Sequence, residues 1–131
     1  MSSGSLSRRL AYVLVLVPVA AFTAWMELGL RASWVKQLGA KSVIAGSAPD
    51  AVAVVFTALL FAVVRQDAGA TPLKLTAMSV LVMGVYEIAQ FWIPGRTFDP
   101  YDLIAAAIGG VIALPLLTIP YHLTRAAGDV G

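Results

Sequence analysis

The sequence has no cysteine and a single histidine, His122. Without thiols it forms no disulfide, thiolate metal site, Fe–S cluster or cysteine nucleophile. One imidazole also excludes a multi-histidine metal centre within the chain. Charge is scarce: 12% of the 131 residues are Asp, Glu, Lys or Arg, about half the share of an ordinary soluble domain. Disorder is excluded as well, because disordered chains are poor in aliphatic residues and rich in charge. There is no Ser-His-Asp arrangement, glycine-rich phosphate loop or metal-ligand spacing, so neither a metal nor a cofactor is expected. The formal charge of +2 is small, and no basic run interleaves with aromatics. Nucleic acid is therefore not an expected partner.

In place of charge the chain carries 60% apolar residues and a mean hydropathy of +0.86. A chain of this length cannot bury so much apolar surface in one water-soluble core. The reading is an all-α membrane protein with four transmembrane helices in a compact bundle. Its loops are short, both termini lie on the same side, and residues 1–131 form a single integral membrane domain. Leu10 to Met26 are uncharged and follow Arg8 and Arg9, a stretch long enough to cross a matched bilayer. It is long for a secretory signal and lacks a small-x-small cleavage site. The expected helices cover about 10–28, 48–64, 73–93 and 102–121. Pro18 is expected to kink the first, and Glu27 with Arg31 four residues on forms a helical pair at its end.

The linkers are too short to hold a soluble domain. In the first, Trp34, Val35 and Leu38 among Arg31, Lys36 and Lys41 read either as an interfacial amphipathic turn or as a polar loop with a headgroup-level tryptophan. Counting Lys and Arg gives five on the terminal side and four on the other. Arg8 and Arg9 beside the first span favour termini in the cytoplasm. Ala105, Ala106, Gly109, Gly110 and Ala113 are spaced for close helix packing. His122 reads as a solvated end residue, and Asp50 after Pro49 either caps the second helix or joins a site at that membrane face.

Polar residues gather from Tyr86 to Asp102. Glu87 lies seven residues before Pro94, roughly 10 Å below the end of its helix. A carboxyl at that depth is costly and should face the bundle interior, where a cation or hydrogen-bond donors meet it. Gln90 follows at i+3 on nearly the same face. Pro94-Gly95 ends the helix, which brings Arg96 within reach of Glu87 and Asp102. Asp99-Pro100-Tyr101-Asp102 reads as an N-cap, a proline at the first helical position and a carboxylate in the first turn. Glu87, Gln90, Arg96, Asp99 and Asp102 are the candidate ligand-binding residues, able to hold a polar or phosphate headgroup or pass a proton.

The stretch EIAQFWIPGRTFDPYDLIAAAIGG resembles the VanZ-like family of small polytopic bacterial membrane proteins. Glu87, Gln90, Arg96, Asp102 and Gly109 fit the family's pattern. Ala106 stands where the family has Asn. An earlier Asp-Lys-x-x-His signature survives only as Asp50, with Ala51 and Val54 in the Lys and His places. The resemblance implies four membrane helices in the bacterial cytoplasmic membrane. For the member that gives the family its name, it implies lower sensitivity to teicoplanin, an antibiotic that acts on the cell envelope.

The preferred expectation is a polar pocket between the third and fourth helices that binds an envelope-associated ligand or lipid headgroup. Glu87 orients or protonates the ligand, Arg96 holds an anionic group, and Asp102 positions Arg96. Membrane lipids, a lipid-linked ligand and a second copy of the chain are the expected partners. A small proton-coupled multidrug-type transporter and a non-catalytic membrane scaffold are the alternatives. An enzyme is the less favoured reading, because no nucleophile or metal set accompanies the carboxylates.

Overall fold

A computed structural model describes residues 3–38, 43–67 and 69–129, apart from the side chains of Ser3, Leu30, Arg31, Trp34, Val35, Leu38 and 43–45. These residues contain helices and no strand. Helix α1 spans Ser3–Trp25 and passes through a π-helical turn, Met26–Leu30, into α2, Arg31–Leu38. Helices α3 (Val43–Val64) and α4 (Pro72–Ala89) follow, and a 3-10 turn, Gln90–Trp92, extends α4. The last helix, α5, spans Pro100–Asp129. Four segments, in α1, α3, α4 and α5, are long and apolar enough to cross a membrane.

Local chemistry sets several boundaries. Thr71 caps α4, its hydroxyl accepting from the Lys74 amide, and Pro72 occupies the first turn, where a missing N–H costs nothing. The last turn of α4 tightens to 3-10 before Pro94 and Gly95, whose φ of +79° suits glycine. Pro18, Pro49, Pro115 and Pro120 all lie inside helices. In a membrane the helix is the favoured way to satisfy backbone groups, and neighbouring helices support the disturbed turn.

The structure corrects the expected extents. The first helix begins at Ser3, well before 10, and the last continues to Asp129, past 121 and through His122, which is exposed and edge-on to Tyr121. The second begins at Val43, before 48. Asp50 is therefore inside α3 and does not cap it. The backbone of the first linker forms α2 where a turn or loop was expected. The Glu27–Arg31 pair and the amphipathic face of Trp34, Val35 and Leu38 depend on side chains outside the described residues, as does Lys41.

Helices α3 and α5 are the central pair; α4 packs on both, and α1 packs on both as well. Their seam is built from small residues: Ala105, Ala106, Gly109, Gly110 and Ala113 are all buried. A Cβ on Gly109 would overlap the Ala51 backbone carbonyl, and one on Gly110 would come within 2.6 Å of Val80 Cγ2. Small residues let backbones approach where lipid supplies no hydrophobic drive between helices. Towards the chain termini the core is apolar, with Tyr12, Leu59, Ala62, Leu75 and Leu117 in one cluster. The Tyr12 hydroxyl donates to the Leu117 carbonyl at 3.2 Å, in the turn preceding Pro120. Arg8 lies over the Tyr121 ring, 5.0 Å from its centroid.

Candidate functional site

The opposite end of the central pair is polar. Glu87 sits in the last turn of α4 and is 1% exposed. Gln90 opens the 3-10 turn three residues on, and its amide donates to the Glu87 carboxylate at 2.7 Å. The i, i+3 spacing predicts that these side chains meet on one face, and burial makes the bond matter, since an unpaired carboxylate in hydrocarbon is costly.

Asp99 and Asp102 are fixed by the start of α5. The Asp99 carboxylate accepts from the Tyr101 amide at 2.9 Å, as an N-cap does, with Pro100 opening the helix. Asp102 lies in the first turn, where helix geometry favours an acid. Its carboxylate accepts from the Ser47 hydroxyl of α3 at 2.7 Å. Asp50, one turn along α3 from Ser47, brings a third carboxylate. Single oxygens of Asp50, Glu87 and Asp102 all lie within 4.8 Å of one another.

These residues line a cavity of about 530 Å³ with Tyr86, Gln90, Arg96 and Asp99, a size that suits a small ligand. Arg96 follows the Pro94-Gly95 turn, with its amide bonded to the Ile93 carbonyl. Phe91 and Phe98 stack at 4.6 Å across the same connection. Arg96 is exposed at the cavity and makes no ion pair within 4.0 Å among the described residues. The expectation that Asp102 positions Arg96 by direct contact is not met: the hydrogen bond to Asp102 comes from Ser47, and Arg96 lines the cavity.

The structure brings Glu87, Gln90, Arg96, Asp99 and Asp102 to one cavity. It adds Asp50 as a full member and Ser47 as a support. The acid at 50 carries a sequence signal, an isolated charge beside an apolar run; a lone serine carries none. Ala106, one turn along α5 from Asp102, is 1% exposed, so a small apolar side chain is buried where the resemblance leads one to expect Asn. The donor set of the three carboxylates is the oxygen type taken by hard divalent cations, which fill a sphere of six or more ligands. Chemically the cavity offers acceptors in its depth and, among the described residues, the positive charge of Arg96 at its edge.

Four apolar helices with a partly buried acidic cluster at one end of the bundle define a multi-pass membrane protein with a polar cavity. A family model described as VanZ/LLP1 matches residues 3–121, and the chain belongs to this family. No curated protein and no solved structure matches the chain.

Proposed function

We propose that the chain is a bacterial cytoplasmic-membrane protein whose cavity binds the polar head of an envelope lipid or lipid-linked ligand. The observation that carries this reading is the convergence of Asp50, Glu87 and Asp102 within 4.8 Å on a cavity that Arg96 also lines. Like charges at that separation repel. A head bringing an ammonium or several hydroxyls offsets that repulsion, while its anionic part pairs with Arg96. A zwitterionic aminophosphate head has both features.

Native mass spectrometry of the purified protein tests this. Wild type retains phosphatidylethanolamine through detergent exchange, and Glu87→Gln and Arg96→Ala each retain about tenfold less, the effect of one lost charge-assisted contact. Retention equal to wild type in both variants, at equal folded yield, rejects the reading. Altered glycopeptide sensitivity would be the cellular counterpart: Glu87→Gln would abolish any teicoplanin protection that expression of the wild type confers.

A second reading, a scaffold, draws on the Ser47–Asp102 hydrogen bond, which ties α3 to α5 without a ligand, and on the Glu87–Gln90 bond, which braces the end of α4. It predicts that replacing Arg96 and Asp102 together lowers thermal stability and leaves lipid retention by the folded fraction unchanged.

A further inference from the structure

Beside the α3–α5 pair, two apolar hollows of about 270 and 320 Å³ share Ala51 as a wall, and the larger also meets α1. Along α5 their lining runs through Tyr101, Ile104, Ile108, Ile112 and Leu116, a stripe stepping by three and four residues that keeps to one face. From Tyr101 to Leu116 the stripe covers about 22 Å of helix, most of a hydrocarbon core of about 30 Å. The hollows therefore read as one groove running down the membrane, with Pro18, Val19 and Phe22 of α1 lining its larger part.

The upper end of this groove adjoins the acidic cavity. Ser47 lines the upper hollow and donates to Asp102, which lines the cavity. One hydrogen bond of 2.7 Å thus stands between a hydrocarbon-depth groove and a carboxylate-rich pocket. A molecule that suits both sides is an amphiphile with its head and chain on either side of that bond.

We propose that the groove seats one acyl chain of a bilayer aminophospholipid whose head reaches the cavity over the Ser47–Asp102 bond. The second chain stays in the surrounding lipid. This rests on the reading of the cavity as a headgroup site. Chain binding here draws on packing, since hydrocarbon is equally apolar outside the groove, so shape decides it.

The test uses the full chain in detergent with phosphatidylethanolamine as probe and phosphatidylglycerol, which lacks the amine, as comparison. Ile108→Trp and Val52→Phe fill the groove from positions outside the cavity. Each lowers phosphatidylethanolamine retention about fivefold through lost chain contacts, Glu87→Gln lowers it as well, and phosphatidylglycerol is held more weakly by wild type. In wild-type protein, a phosphatidylethanolamine with a diazirine midway along one chain labels Val52, Ile108 or Ile112 in preference to the exposed α4 residues Leu81 and Val85. The labelling needs no variant, so it decides the matter even if the filling variants do not fold.

Equal labelling of the groove and the α4 face, or full retention by both folded filling variants, overturns the groove while the effect of Glu87→Gln keeps the cavity reading. Equal retention of the two lipids overturns the amine. Retention indifferent to Glu87→Gln removes the cavity reading and the proposal with it.

Discussion

The two ends of the bundle are held together by different means. Near the termini, Tyr12, Leu59, Leu75 and Leu117 are buried together, and a side-chain hydrogen bond from Tyr12 bridges α1 to α5. At the other end Glu87, Gln90 and Ser47 are also buried, yet the side chains there surround a cavity with three carboxylates and do not fill it. An apolar end maximises packing, whereas an end that keeps acids close together gives up packing for a place where positive charge or donors can enter. The contrast separates residues that hold the fold from residues that hold a ligand, and each substitution below tests that division.

The largest effect is expected at the seam joining both ends. Gly109→Ala places a methyl against the Ala51 backbone, which cannot turn aside as a side chain can, and costs about 3 kcal/mol, the upper part of the overpacking range. Thermal unfolding in detergent reads this, and a melting temperature equal to wild type contradicts the close approach of α3 and α5. Tyr12→Phe removes the hydroxyl from the Leu117 carbonyl and lowers stability by about 1 kcal/mol. It leaves lipid retention unchanged, and a loss of retention in the folded variant would merge the two ends functionally. Ser47→Ala frees Asp102 and weakens phosphatidylethanolamine retention about threefold, a fraction of one hydrogen bond.

The smallest effect lies in the α3–α4 connection. Arg65 bonds the Asp67 carboxylate at 3.1 and 3.2 Å and holds its pKa below the ordinary value of 3.8. A pKa lowered in the folded state means that the pair stabilises above the unfolded value and that this contribution is lost as pH falls through the lowered one. Because the pair is exposed, Asp67→Asn melts only slightly below wild type at neutral pH and together with it in strong acid. An equal difference at both pH values contradicts the pairing.

The number of spans was legible because apolar runs free of charge are long and distinct. Their ends were not: the first helix runs back through Arg8 and Arg9 to Ser3, the second runs back through Pro49 to Val43, and the last continues past Tyr121 to Asp129. Asp50 was readable as either a cap or a member of the site, and the choice depends on α3 starting at Val43. In the site, local spacing was enough for Glu87 with Gln90 and for the Asp99 cap, since those partners are two or three residues apart. Ser47 with Asp102 could not be read, because the partners are 55 residues apart and their meeting depends on how α3 crosses α5. Arg96 and Asp102 form no ion pair among the described residues although they are close in sequence, so nearness along the chain did not settle that contact.

The most direct test of a ligand-holding acidic end is the change in melting temperature on adding phosphatidylethanolamine to wild type and to Glu87→Gln. A ligand that binds the folded state raises its melting temperature in proportion to its affinity. The account predicts a rise for wild type and little or none for Glu87→Gln, whose melting temperature without lipid is not below that of wild type because a buried acid has been replaced by a neutral amide. The same rise in both proteins would contradict it.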